Sequence, residues 1–143
     1  MQLTRAADYG VRVMVHLAGL PDGSRPNRAQ LAVAADCPEQ FLSKVLQSLT
    51  RAGLVTSHRG NTGGFELPRN GRTVSLLEVV EAVEGPIRLN LCLTSSKACE
   101  RQSWCPAHVV WEDAQSAMAE VLRKATIGDL AQRTALKASP AQA

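Results

Sequence analysis

The feature that most constrains the fold is a short helical segment, a tight turn and a longer helical segment within residues 27–53. Asn27 stands three residues before Gln30, which is the spacing of a capping box and predicts the start of the short helix. The longer helix follows, with Asp36 and Glu39 again at capping-box spacing. Its apolar residues recur at helical spacing: Phe41, Leu42, Val45, Leu46 and Leu49. This order of elements predicts a helix-turn-helix.

A glycine-rich hairpin is predicted directly after the longer helix. Residues 54–58 and 65–67 have the composition of two short strands. The connection between them is Arg59-Gly60-Asn61-Thr62-Gly63-Gly64, whose glycines permit the positive φ angles of a tight turn. A hairpin that follows a helix-turn-helix is a wing. An arginine at its tip suits the narrow, negatively charged minor groove of DNA.

The polar face of the longer helix has the residue types that read DNA: Gln40, Ser43, Lys44, Gln47 and Arg51. Amides and hydroxyls can bond base edges, while cations neutralise phosphates. On the helix alone an ordinary solvated face is the favoured interpretation, and it is the adjoining wing that favours DNA binding. The charge distribution also points to DNA. Residues 1–72 contain nine Lys/Arg against five Asp/Glu, whereas residues 73–143 contain seven against eight, so the first half of the chain is the basic one.

Helices are also predicted on both sides of this unit. The first runs from about Arg5 to Leu20, and another begins after Ser75, which forms a capping box with Glu78. A long helix is predicted from Pro106 to about residue 125. Its broad apolar stripe suits contact with its own domain on one side and a second copy of the chain on the other, although a core helix within one chain is an alternative.

Three regions are expected along the chain. Residues 1–74 form the winged helix-turn-helix DNA-binding domain, and residues 75–134 form a cysteine loop with the dimerisation helices, ending in a short helix from Ile127 to about Arg133. The tail at 135–143, rich in Ala, Ser, Pro and Gln, is expected to be disordered. The fold class is thus mainly α, with a small β-hairpin wing and a long C-terminal dimerisation helix.

Three of the four cysteines fall in one polar loop before the long helix. Cys92, Cys99, Cys105 and His108 have the spacing C-x6-C-x5-C-x2-H, and thiolates gathered in one loop suit an iron–sulfur cluster. Zinc bound by three cysteines and a histidine is an alternative, although zinc sites usually contain closely spaced cysteine pairs. Thiols without a metal are a third possibility. Cys37, in the turn, is interpreted as a small packing residue.

Several classes of protein are disfavoured. No apolar run approaches the ~20 residues of a membrane span. The chain opens without a secretory leader, so we expect a cytoplasmic protein with reduced thiols and no contact with a membrane. His16 and His58 have no evident nucleophile partner, and no phosphate-cradling glycine motif occurs, so we expect neither an enzyme nor a small-molecule substrate.

From residue 1 to about residue 133 the chain resembles the iron–sulfur winged-helix transcription regulators that include IscR and NsrR. The resemblance rests on the opening M-Q-L-T-x3-D-Y-G, the wing S-H-R-G-N-T-G-G-F and the three cysteines before a long helix. It implies a homodimeric regulator, with a repressor expected, that binds a pseudo-palindromic operator in double-stranded DNA. It also implies control by an iron–sulfur cluster, either 2Fe-2S or 4Fe-4S, that senses nitric oxide, redox state or iron supply.

The resemblance also assigns roles to residues. Cys92, Cys99 and Cys105 would be the cluster thiolates, and the fourth ligand would be Asp8, contributed by the partner chain as in NsrR-like members, or His108 as in IscR-like members. Residues expected to contact DNA are Arg28, Gln40, Ser43, Lys44, Gln47, His58, Arg59, Gly60, Asn61, Thr62 and Gly63. The alternatives are a zinc-stabilised or thiol-based winged-helix regulator and a small electron-transfer iron–sulfur protein.

Overall fold

The computed structural model describes residues 2–138, and over this range the protein is mainly α-helical with one antiparallel hairpin. The elements are α1 (Arg5–Gly19), α2 (Arg28–Ala35), α3 (Glu39–Arg51), β1 (Thr56–His58), β2 (Gly64–Glu66), α4 (Leu76–Glu84), α5 (Pro106–Lys124) and α6 (Ile127–Ala138). Short 3-10 turns lie at Gly71–Thr73 and Leu91–Leu93. The predicted order of elements and the mainly α fold class are confirmed.

Most of the predicted helix starts are confirmed by their capping bonds. The Asn27 side chain accepts from the Gln30 amide and the Gln30 side chain accepts from the Asn27 amide, both at 2.9 Å. Ser75 and Glu78 form the equivalent capping box before α4. The predicted box at Asp36 is wrong, because Asp36 has a φ of 50° and ends α2 in the left-handed conformation. α3 starts after Pro38 without a side-chain cap.

The helix-turn-helix is built on a single apolar core. The largest fully buried side chains of α1–α3 are Met14, Leu31, Leu42, Leu46 and Leu49. Val79 of α4 and Ile127 of α6 belong to the same core, so α4 and α6 pack onto the helix-turn-helix. Phe41 is 45% exposed rather than buried, and its ring meets the edge of Tyr9 with centroids 5.7 Å apart.

The wing is a short hairpin in the register Thr56↔Glu66, Ser57↔Phe65 and His58↔Gly64. Its first strand is shorter than predicted, because Val55 is buried in the helical core instead of pairing. The amide of Phe65 donates to the carbonyl of Pro26 at 2.9 Å. This bond ties the wing to the segment before α2.

The C-terminal helices differ in their burial. α5 packs Met118, Ala119 and Leu122 against a second, smaller core around Leu77 and Val80, yet it has no buried residue of its own. Its exposed large apolar side chains are Val109, Val110, Trp111 and Val121. Unlike the short helix predicted, α6 continues to Ala138, beyond the expected start of the tail.

The rest of the predicted tail, 139–143, lies outside the described residues. The predicted boundary between the DNA-binding domain and the region of the cysteine loop, between residues 74 and 75, stays a prediction. No helix within residues 2–138 combines the length and the apolar character needed to cross a membrane.

Candidate nucleic-acid interface and metal centre

The predicted DNA-reading residues of α3 lie on one accessible face. Gln40, Lys44 and Gln47 are exposed, and Ser43 is half-buried. The guanidinium of Arg28, at the start of α2, donates to the Ser43 hydroxyl at 3.2 Å. The structure therefore brings Arg28 to the N-terminal part of α3, where a helix-turn-helix contacts base edges.

A groove of about 420 Å³ separates this face from the wing. Its lining residues come from α2, α3 and both strands: Arg28, Ser43, Leu46, Gln47, Thr50, Arg51, Ser57 and Phe65. α3 and the wing are thus adjacent, as simultaneous contact with neighbouring DNA grooves would require.

The wing tip is accessible and its glycines are required by geometry. Arg59, Asn61 and Thr62 are exposed, and Gly60 has a φ of 95°. A Cβ on Gly63 would overlap the carbonyl oxygen of His58. The backbone of the tip can therefore approach a partner closely, with the Arg59 side chain accessible.

His58 differs from the other predicted contacts because it is engaged within the protein. Its Nε2 lies 2.7 Å from Glu66 Oε2 without hydrogen-bond geometry. The Nε of Arg25 donates to the same oxygen at 3.1 Å. On the other side of the groove, Glu39 accepts from Arg28 at 3.0 Å. Glu39, Glu66 and Arg25 were not predicted as site residues, because these pairings depend on tertiary contacts that no sequence spacing reveals.

The three loop cysteines are half-buried and unpaired by disulfides. The Gln102 side-chain amide holds the loop together by donating to the carbonyls of Cys92 at 2.5 Å and Ser95 at 3.1 Å. Cys105 is the residue immediately before α5, so one end of the loop is fixed to a long helix.

His108 lies beside this loop. Together with Cys99 it lines a cavity of about 740 Å³, and its side chain is 12% exposed. Its Nδ1 is buried and has no hydrogen-bond partner among the described residues, while Nε2 lies 3.4 Å from Glu112. Asp8 instead forms an ion pair with Arg12 at 2.7 Å on α1.

The donor types suit an iron–sulfur cluster or zinc, because three thiols and an imidazole nitrogen without a partner occur in one region. These donor side chains are not gathered around one point, however. Within residues 2–138, no group of three or more His, Cys, Asp or Glu side chains is close enough to hold a metal ion. Binding a metal at these residues would require the loop to draw its sulfurs together.

Cys37 is a packing residue, as predicted. It is 8% exposed, belongs to the helical core and donates its thiol to the Pro38 carbonyl at 3.4 Å. Burial raises the pKa of the Cys37 thiol, and the nearby Arg12 only partly opposes this. A raised pKa disfavours the reactive thiolate.

Known proteins resemble the chain over nearly its whole length. The family model described as Rrf2, iron-dependent transcriptional regulator, matches residues 3–133. A protein of Mycobacterium tuberculosis strain H37Rv that is named as an HTH-type transcriptional regulator is 33% identical over 131 residues, which are 92% of this chain and 81% of the relative.

Solved structures agree with the family match. CymR, the global cysteine regulator of B. subtilis, is 26% identical with a TM-score of 0.74, over 93% of this chain and 98% of CymR. IscR of T. potens is 26% identical with a TM-score of 0.73, over 100% of this chain and 94% of IscR. With its winged helix-turn-helix and this match over residues 3–133, the chain belongs to the Rrf2 family of transcriptional regulators.

Proposed function

We propose that the chain acts as a homodimeric repressor that binds a pseudo-palindromic operator in double-stranded DNA. The observation that carries this proposal is the groove between α3 and the wing, with Gln40, Lys44 and Gln47 exposed on one side and Arg59 exposed at the wing tip. Amide groups on α3 suit base edges in the major groove, and Arg59 suits the minor groove. Lys44 suits phosphate.

The second copy is expected to pack on α5. Val110, Trp111 and Val121 are large apolar side chains exposed on this one helix, and exposed apolar side chains that cluster mark interaction surfaces. For the two copies of α3 in such a dimer to enter the DNA on successive turns, they would have to lie about 34–36 Å apart. An inverted-repeat operator follows from the two-fold symmetry of that dimer.

We further propose that an iron–sulfur cluster bound by Cys92, Cys99, Cys105 and His108 controls operator binding. The unpartnered Nδ1 of His108 beside the cysteine loop favours this histidine over Asp8 of the partner subunit as the fourth ligand. A bound cluster would supply a redox-active iron. Nitric oxide or oxygen can react with such an iron, and the iron can also dissociate when iron is scarce. Because Cys105 adjoins α5, a change in the loop would be passed to the proposed dimer helix.

Anaerobically purified protein tests the cluster. We expect iron and sulfide bound to the chain, with a brown colour, and absorption and Mössbauer spectra would distinguish 2Fe-2S from 4Fe-4S. Cys92→Ala should lose the colour. His108→Ala should lose iron faster to a chelator than Asp8→Ala, and His16→Ala on α1 is the matched control. If only Asp8→Ala released iron, the partner's carboxylate would be the ligand instead.

Selection of bound sequences from a randomised DNA pool tests the operator. We expect an inverted repeat. Arg59→Ala should weaken binding to it by about tenfold, the loss of about 1–3 kcal/mol in groove contact. Lys44→Ala should reduce the slope of log affinity against log salt by about 0.9, the value for one phosphate contact. Arg133→Ala, which removes an exposed arginine of α6, is the control that should change neither.

A zinc-stabilised or thiol-based regulator without a cluster is the second candidate. The thiol-based form is favoured by the open arrangement of the loop, in which the described residues hold no assembled group of metal ligands, whereas zinc, like a cluster, would require the loop to draw its sulfurs together. Colourless anaerobic protein with stoichiometric zinc, or with no metal and full DNA selectivity, would establish this candidate and exclude the cluster.

A further inference from the structure

Arg28 does not project freely into solvent from the predicted DNA-reading face. Its Nε donates to Glu39 Oε1 at 3.0 Å, and its NH1 donates to the Ser43 hydroxyl at 3.2 Å. The Ser43 hydroxyl in turn donates to the Glu39 backbone carbonyl at 3.3 Å. One side chain of α2 is therefore held by two side chains in the first turns of α3.

This arrangement places a carboxylate on a surface where the proposed function needs cations. The side chains of Arg28 and Glu39 are about half exposed, at 52% and 48%, so the ion pair faces the same solvent that DNA would displace. Glu39 repels phosphates, and its pairing neutralises one cation that could otherwise contact them. Non-specific DNA binding depends almost entirely on such phosphate contacts.

The geometry also limits where the guanidinium can go. An arginine fork recognises guanine when its nitrogens lie in the major groove at the N-terminal end of a recognition helix. Arg28 is held at that end of α3 and lines the groove between α3 and the wing. Without Glu39, the same flexible side chain could extend to a phosphate at many positions along DNA.

We propose that Glu39 is a positioning residue that determines DNA specificity. It holds the Arg28 guanidinium for contact with a base edge and keeps it from phosphates, so that it lowers non-specific affinity more than operator affinity. This inference rests on the proposed function as a DNA-binding regulator, and it adds a residue and a role to that function.

Glu39→Gln tests the proposal in the full chain, prepared anaerobically. The probes are the operator sequence selected by the wild-type protein and a scrambled duplex of the same length and composition. We expect affinity for the scrambled duplex to rise about fivefold, with a salt slope steeper by about 0.9, as one added phosphate contact gives. Operator affinity should change by less than about twofold, so the ratio of the two affinities should fall.

Two controls separate the role of Glu39 from a change of net charge. Asp22→Asn makes the same change of charge and likewise releases an arginine, since Asp22 pairs with Arg72 at 2.6 Å, away from α3, the wing and α5. It should leave both affinities unchanged. In the Arg28→Ala background, Glu39→Gln should no longer raise affinity for the scrambled duplex, because the gain depends on Arg28.

The proposal is overturned if Glu39→Gln leaves scrambled-duplex affinity and salt slope unchanged, or if the gain persists without Arg28. The second result would mean that Glu39 acts by repulsion alone. Failure of the proposed function gives a different result: wild-type protein would select no sequence from the randomised pool, and the role of Glu39 would be rejected with it.

Discussion

Glu66 Oε2 on β2 lies 2.7 Å from His58 Nε2 on β1, so these two side chains face each other across the strands of the wing. The same oxygen accepts from Arg25 at 3.1 Å, so one carboxylate also joins the hairpin to the segment before α2. The neighbouring residue, Phe65, adds a backbone hydrogen bond from its amide to the Pro26 carbonyl. The wing is therefore anchored to the helix-turn-helix by polar contacts at its base, whereas the bond from the Gly63 amide to the Gly60 carbonyl lies within the tip itself.

Glu66→Ala should loosen the wing without unfolding the protein. Partly exposed ion pairs contribute only about 0.2–1 kcal/mol each, so the melting temperature should fall slightly. Amide hydrogen exchange of residues 59–63 should become faster, because the hairpin loses its anchor to Arg25. Exchange measured by mass spectrometry checks this, with Glu81→Ala, which removes an exposed carboxylate of α4, as the control. Unchanged exchange at the tip would contradict the anchoring role.

Gly63→Ala should impair DNA binding while leaving the helical core intact. A Cβ at this position would overlap the backbone of His58 and Gly60, so the tip must change its conformation. Strain of this kind costs on the order of 1–3 kcal/mol, and we expect operator affinity to fall about tenfold or more.

Gly19→Ala is the matched control for this substitution, because a Cβ at Gly19 meets no atom within 4 Å. It should preserve both affinity and helical circular dichroism. Equal operator binding by Gly63→Ala and Gly19→Ala would show that the tip tolerates a side chain at residue 63.

Local signals were enough to predict the helices and the wing. The boxes at Asn27 and Ser75 formed as predicted, because a cap depends on residues only three positions apart. Asp36 had the same spacing but failed, since the turn between α2 and α3 needs a left-handed residue there. The strand prediction included Val55, which tertiary packing draws into the core instead.

Pairings across the site could not be predicted, because they join residues far apart in the chain. Arg28 meets Glu39 eleven positions away, and Arg25 meets Glu66 forty-one positions away. The cysteine spacing predicted a metal site, yet it contained no information on the loop conformation between the cysteines. The spacing placed His108 next to the cysteines and the resemblance made it a candidate fourth ligand, whereas its buried Nδ1 emerged only from packing.

Cys37 should react slowly with iodoacetamide in the folded protein. Burial raises the pKa of its thiol, which lowers the thiolate fraction near neutral pH, and the side chain is only 8% exposed. In metal-depleted protein the half-buried Cys92 and Cys99 should be modified first, as peptide mass spectrometry with time would show. Modification of Cys37 at the rate of the loop cysteines would contradict this.

The same pKa shift has a consequence for stability. Because the folded state holds the proton of Cys37 more tightly than the unfolded state, this thiol makes the free energy of unfolding fall as pH rises through and above the ordinary thiol range. Denaturant unfolding of wild type and Cys37→Ala at several alkaline pH values measures the effect. The variant should have the weaker pH dependence, and equal dependence in the two proteins would remove Cys37 as its source.

Val121→Glu should convert the proposed dimer to monomers. Val121 is 69% exposed on α5, a helix with no buried residue, and an interface over this face would enclose the new carboxylate. Burial of an ionised group without a partner costs several kcal/mol, and two-fold symmetry introduces two such groups. The dissociation constant of the dimer should therefore rise at least about a thousandfold. Light scattering during size exclusion should report about 15.3 kDa for the variant and twice that mass for the wild type.

Val33→Glu is the control, because Val33 is 83% exposed on α2, away from the proposed interface, and this variant should remain dimeric. A dimeric Val121→Glu variant would place the interface on another surface of the chain.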